Sequence, residues 1–226
     1  MKTAVHTRLA LDGIKKNKRL YIPYIAGGAL MSGITYIMHF LSSDRILGNI
    51  KKGSATLGSI LPFAGWVISI FSVIFLFYTN SFIIKRRSRE LGLYNVLGMD
   101  KKNIAKVMAI ESIAVAAMSI GAGFIFGISL SKLAEAALLK ALDEKIGFAV
   151  YIHFPALAIT AAVFAAIHLL LLINSLIRVA LSKPASLIMS EKAGEKPPKG
   201  NAVLALTGIG LLIGAYVISL SIKSPL

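Results

Sequence analysis

The chain has 226 residues, 56% of them hydrophobic, with a mean hydropathy of +0.76; a soluble domain is nearer about 45–50% apolar. Its net charge is +15, and the absence of cysteine excludes disulfides and thiolate metal sites. The spacing of the charges excludes a soluble enzyme: Asp, Glu, Lys and Arg are absent from 20–43, 53–84, 146–177 and 200–222, and 107–131 contains only Glu111. Each run meets or exceeds the roughly 20 residues that a helix needs to cross a hydrocarbon core. The fold class is therefore all-α, a polytopic membrane protein with about five transmembrane helices.

In chain order, residues 1–19 are basic and moderately amphipathic. They suit either a short helix on the inner membrane surface or a frayed cationic leader. The first span covers about 20–41, has Pro23 in its opening turn, and carries the small pairs Gly28/Ser32 and Ala29/Gly33. It is too long for a signal-peptide core and reads as an uncleaved anchor. After a short outer loop, span two covers about 58–79, with Pro62 near its start. Span three covers about 106–130 and includes Gly123-x-x-x-Gly127; its outer loop, about 132–152, holds an Ala/Leu-rich helical stretch ending near Gly147. Span four runs from about 154 to 177 with Pro155 in its first turn, and span five from about 201 to 222 with Gly210-x-x-x-Gly214. The organisation expected is 1–57 as the interfacial segment, first span and outer loop, 58–180 as the core with spans two to four, and 181–226 as a linker with the fifth span.

The basic residues sort by side. Six precede Leu20, seven lie in 85–106 and five in 178–199, so eighteen of 25 flank the spans on one face. Cytoplasmic loops show this bias, which places the N-terminus in the cytoplasm and the end of the fifth span outside. Because the charges flank the spans and lack interleaved aromatics on a folded surface, no nucleic-acid partner is expected; membrane lipid is.

Two cytoplasmic segments differ in character. Span two continues beyond the bilayer through Lys85–Asp100. There Leu93, Val96 and Leu97 fall at helical spacing, Gly98 is a natural helix stop and Asp100 a natural N-cap for the next helix. Apolar side chains on such a turn suggest a docking surface. The stretch 183–199, ending Glu195-Lys-Pro-Pro-Lys-Gly200, reads as a hydrated connector.

Signals for chemistry are sparse. No phosphate-binding G-x-x-x-x-G-K-[ST] loop occurs, the four histidines have no partner at metal-ligand spacing, and no Ser/His/Asp set stands out, so no catalytic residue, metal or cofactor is assigned. Ionisable groups within spans are functional candidates. Glu111 lies about one turn inside span three. It either reaches the interface or pairs with Lys106 or a basic residue of the preceding turn, transmits motion between loop and span, or relays protons. His168 lies in mid-span four with Ser175 on its face, and a neutral, hydrogen-bonded packing role is preferred to that of a ligand. Asn174 and Arg178 anchor the inner end of that helix.

The block Asn80-Ser-Phe-Ile-Ile-Lys-Arg-Arg-Ser-Arg-Glu-Leu-Gly-Leu-Tyr-Asn-Val-Leu-Gly-Met-Asp100, followed by Lys102-Asn-Ile-Ala105 and Glu111, resembles the FtsX-like permease family of ABC transporters. It is similar in particular to the bacitracin-export or antimicrobial-peptide-resistance type of Gram-positive bacteria. Leu9-Ala-Leu-Asp-Gly-Ile-Lys-Lys-Asn-Lys18 and Lys183-Pro-Ala-Ser-Leu187 fit the same subfamily. The resemblance implies a plasma-membrane permease subunit without ATPase activity, paired with a separate cytoplasmic ATP-binding subunit and, in the resistance branch, with a membrane sensor kinase. By match of position, Arg89, Glu90, Leu91, Gly92, Leu93, Tyr94, Asn95, Val96, Leu97, Gly98, Met99 and Asp100 would form the coupling helix that docks on the ATPase. Such permeases have further spans and a large extracellular domain in their second half. The expectation is accordingly a fragment, a truncated copy, or a half that assembles with the remaining permease half or a second copy. The other readings are a non-transporting scaffold that binds an ATPase or sensor kinase, and a secondary transporter; the lack of paired carboxylates within spans argues against the latter.

Overall fold

The computed structural model describes residues 2–48, 50–51, 53–144, 151–181 and 202–221, and the described residues are helical with connecting turns. The elements are α1 (Lys2–Lys16), α2 (Lys18–Leu41), the single turn α3 (Asp44–Leu47), α4 (Ser54–Val96), α5 (Lys101–Ala141), α6 (Phe154–Leu181) and α7 (Ala202–Ser221). Among the described residues α2, α4, α5 and α6 have the length and apolarity to cross a membrane. The chain divides into two compact units, 1–191 and 192–226. The second contains α7, the helix at the position of the fifth predicted span, which carries no charged residue. The connector predicted at 183–199 and the Lys183–Leu187 stretch lie outside the described residues.

Helices α4 and α5 are much longer than a bilayer requires. At about 1.5 Å per residue, the 43 residues of α4 extend some 64 Å. The predicted extension of span two into the cytoplasm is therefore one unbroken helix. At the other end α5 runs to Ala141, so the Ala/Leu-rich stretch expected as a separate loop helix is instead the continuation of span three. Its backbone stops where Asp143 takes a left-handed conformation (φ 56°), with Glu144 N–H donating to the Leu139 carbonyl at 2.9 Å and Asp143 N–H to that of Lys140 at 3.2 Å. The prolines also differ from expectation. Pro155 sits in the first turn of α6, but α2 and α4 begin earlier than the predicted spans, so Pro23 and Pro62 lie inside them and each removes one helical hydrogen bond.

The first unit is organised around α2 and α5, which meet through small residues. A methyl group at Gly123 would overlap the Ser32 hydroxyl and lie 2.8 Å from the Ala29 carbonyl; one at Gly127 would lie 3.0 Å from the Gly33 carbonyl. Gly33 in turn approaches the Gly123 carbonyl, and Gly28 approaches Ser119. The small pairs of span one and the Gly-x-x-x-Gly of span three are thus two halves of one seam in which the backbones touch. In lipid, where hydrophobic sorting between helices is absent, such close contact supplies the van der Waals attraction that holds helices together. On α7, by contrast, a methyl group added at Gly210 or Gly214 would meet nothing within 4 Å among the described residues.

Around this seam, Tyr21, Tyr24, Leu76, Val115, Phe164, Ile167 and Leu171 join α2, α4, α5 and α6. At the end of the bundle away from the α4–α5 turn, Tyr36, Phe40, Ile46, Leu61 and Leu139 form a second cluster. Tyr151 closes it: its hydroxyl lies 3.2 Å from Ser43 Oγ, its ring packs near Phe40, and the Arg45 guanidinium sits 4.2 Å above it. Lys51 N–H also donates to Glu144 there (3.0 Å). Residues 2–16, read as a surface helix or a frayed cationic leader, form helix α1, which packs against α5 and α2 and has Ala10 and Gly13 buried. It breaks at Asn17, whose side chain donates back to the Gly13 carbonyl at 3.1 Å.

Candidate coupling site

The site is the hairpin between α4 and α5, at the end of the first unit where the basic flanks of α1, α4, α5 and α6 gather. Its turn follows from Gly98. With φ at +93°, Gly98 adopts the left-handed conformation that side chains disfavour, its N–H donates to the Asn95 carbonyl (3.1 Å), and Met99 N–H reaches back to Tyr94 (2.9 Å). This paired pattern satisfies the last carbonyls of α4, and Tyr94 and Met99 both pack on the cluster of Leu91, Ile104, Met108 and Val179. Asn95 Nδ2 adds a bond to the Met99 carbonyl (3.2 Å). Asp100 occupies the N-cap position of α5 with extended backbone, although its side chain makes no capping bond. Lys101 Nζ donates to the Ala180 carbonyl (3.0 Å), tying the hairpin to the last turn of α6.

The hairpin therefore has two faces. Leu91 and Gly92 are buried, with Tyr94, Asn95 and Met99 partly so. Leu93, Val96 and Leu97 are 53%, 62% and 75% exposed, and Gly98 and Asp100 are exposed beside them. Arg89 lies on α4 two turns before the tip.

Below this tip the structure assembles polar groups that the sequence pattern left scattered. Arg87, 5% exposed, forms an ion pair with Glu111, 4% exposed, and Nη1 also donates to the Tyr21 hydroxyl at 2.7 Å; Tyr21 in turn donates to Glu111. Arg87 Nε reaches Glu90 at 3.4 Å, and Glu90 accepts from Asn17 at 3.3 Å and pairs with Lys16 at 3.6 Å. Gly13 makes room: a methyl group there would stand 2.9 Å from an Arg87 nitrogen. Four helices meet in this cluster. Glu111 thus pairs with a basic residue on α4, 24 positions earlier in the chain, and not with the Lys106 partner also considered. Arg87 and Tyr21 were missed as site residues. The available signal was the period of α4, which puts Arg87 on the buried face of Leu91 and Tyr94, where an unpaired cation is untenable.

His168 is separate from this cluster. It is buried in α6, with Nδ1 2.9 Å from the Phe164 carbonyl, so the tautomer carrying hydrogen on Nδ1 bonds to its own helix. Ser175, on the same face, donates to the Leu171 carbonyl and accepts from Asn80 Nδ2 at 2.9 Å, linking α6 to α4. Among the described residues, no group of three His, Asp or Glu stands where a metal ion could be held.

The FtsX-like permease C-terminal family matches residues 62–185, which include the hairpin, Arg87, Glu111 and His168. The chain belongs to this family. Its similarity to whole permeases extends further. The bacitracin export permease protein BceB of Bacillus subtilis is 28% identical over 219 residues, covering 94% of this chain and 33% of the relative. The ABC transporter permease protein YxdM of the same organism is 27% identical, covering 92% and 33%, and BceB of Halalkalibacterium halodurans is 28% identical, covering 93% and 33%. The chain spans about a third of the length of the curated relatives it matches. With four described helices able to cross a bilayer, it is a multi-pass protein of the Gram-positive plasma membrane type, in a family of transport proteins rather than enzymes.

Proposed function

We propose that this chain is the membrane-spanning, force-transmitting part of an ABC transporter permease. A separate cytoplasmic ATP-binding subunit docks on the exposed tip of the α4–α5 hairpin, and its ATP-driven motion passes through the long helices to the outer face, in peptide-antibiotic export, resistance or sensing. A membrane sensor kinase is a further partner in this reading. The observation that carries it is the apolar triplet Leu93, Val96 and Leu97, exposed at the tip of the hairpin, past the uncharged stretch of α4 that ends at Ile84. In this reading the tip lies beyond the lipid, where a solvated linker has no use for a fixed apolar face. The similarity to permeases of ABC transporters supports the choice of partner.

The test is co-purification with the cognate ATP-binding subunit. A carboxylate buried in an apolar contact costs about 2 kcal/mol or more, so Leu93→Asp with Leu97→Asp should lower affinity by roughly a hundredfold or more. Membrane insertion and thermal stability should be unchanged, since both side chains face outward. Undiminished binding would remove the coupling assignment. Binding without any nucleotide-dependent change in the permease would replace transport by scaffolding.

A further inference from the structure

Arg87 and Glu111 form an ion pair that is almost entirely buried. Desolvating two charges is expensive, and apolar residues of similar volume often do as well or better for stability alone. An ionisable group within a membrane span, as Glu111 is, is a functional candidate. The geometry points to a specific role: Arg87, with Tyr21 and Glu111, is a positioning device that fixes the base of the cytoplasmic extension to spans one and three, so that displacement of the docking tip moves the α2–α5 pair. This inference rests on the coupling reading and extends it from the docking surface to the element that receives the motion.

Three features converge on Arg87. Its guanidinium is the shared donor to Tyr21 on α2 and Glu111 on α5, and it reaches Glu90 on its own helix, which is bonded in turn to Asn17 between α1 and α2. A planar fork serves several acceptors in fixed directions; an ammonium does not. Between Arg87 and the last helical residue of the tip, Val96, runs uninterrupted α-helix, nine residues or about 14 Å. A push at the tip therefore arrives at the guanidinium without an intervening hinge. On the receiving side, α2 and α5 are in backbone contact along their seam, so a load on Tyr21 and Glu111 acts on one body. The second carboxylate oxygen of Glu111, Oε2, is buried without a partner among the described residues, beside a cavity of about 40 Å³ lined also by Asn80, Ser112 and Ser175. That volume accommodates water, which lets the carboxylate keep a partner if the Arg87 contact shifts.

The chain lacks cysteine, so a single reporter is clean. Leu133→Cys, exposed at the outer end of α5, is labelled with a membrane-impermeant maleimide in the complex with the ATP-binding subunit, with and without a non-hydrolysable ATP analogue. In the parent, nucleotide should alter the labelling rate by about fivefold or more. Glu111→Gln and Arg87→Lys should abolish that response while retaining the bound subunit and its KM for ATP; Glu111→Asp should recover part of it. Tyr21→Phe, which removes one hydroxyl, serves if either variant fails to fold, and should reduce the response. A merely structural role would lower melting temperature and yield but leave the response of surviving complexes intact. A response that persists in these variants, or a parent that never responds, overturns the positioning role. A parent that does not retain the subunit overturns the coupling reading itself.

Discussion

The seam between α2 and α5 makes a prediction with an internal control on the same helix. At Gly123 an added methyl group meets backbone, 2.8 Å from the Ala29 carbonyl, and overlaps the Ser32 hydroxyl; at Gly121, two residues away, it meets nothing within 4 Å. Replacing Gly by Ala inside a helix is worth about 0.5–1 kcal/mol in reduced unfolded-state freedom, and that gain is common to both positions. Their difference isolates overpacking, about 1–3 kcal/mol, or roughly a fivefold to hundredfold shift in the folded-to-unfolded ratio. Gly121→Ala should be as stable as the parent or more so, and Gly123→Ala should be less stable than Gly121→Ala by that amount. The measurement is unfolding in mixed micelles of increasing SDS fraction, followed by the fluorescence of Trp66, the chain's single tryptophan. Combining Gly123→Ala with Ser32→Ala removes the hydroxyl overlap but leaves the Ala29 carbonyl in place, so it should recover part of the loss and not all. If Gly123→Ala unfolds together with or after Gly121→Ala, the two backbones are not in contact and the account of the seam is wrong.

Other consequences are tested more briefly. Gly98→Val forces a β-branched residue into a left-handed turn (φ +93°), which costs about 1–2 kcal/mol; the hairpin should become markedly more sensitive to limited proteolysis near residue 98. At the opposite end, Asp143→Gly should leave the melting temperature unchanged or raise it, whereas Asp143→Val should lower it, because Asp143 already holds a positive φ. Orientation is read from single cysteines in intact cells: Lys51→Cys should react with an impermeant maleimide, and Lys102→Cys only after permeabilisation. The reverse pattern would invert the topology drawn from the charges.

What could be read from the amino acids depended on whether the signal was local. The hydrophobic runs of α2, α4, α5 and α6 were legible because crossing a bilayer demands a length of uncharged sequence that little else produces. The α4–α5 turn was legible for a similar reason: Gly98 and Asp100 are neighbouring signals whose chemistry acts within a few residues. Helix ends were harder. Charges mark where a span leaves the membrane but not where the helix stops, so Lys132 looked like a boundary although α5 passes straight through it to Ala141.

Pairings between distant positions were not legible at all. Gly28/Ser32 and Gly123/Gly127 each announce a face that admits a close neighbour, yet nothing in their spacing says that they meet each other. Tyr21, Arg87 and Glu111 lie on three helices, and a tyrosine or arginine at a membrane edge has an ordinary interfacial explanation when seen alone. Only the phase of α4 separates the two roles: Arg87 falls on the side of Leu91, while Leu93 and Leu97 fall on the other. This stretch of α4 thus turns one arginine inward among apolar residues and leaves the apolar Leu93, Val96 and Leu97 outward at its end. The proposed docking accounts for the outward apolar tip, and the ion pair with Glu111 accounts for the inward arginine; without that partner a buried Arg87 would carry an uncompensated charge.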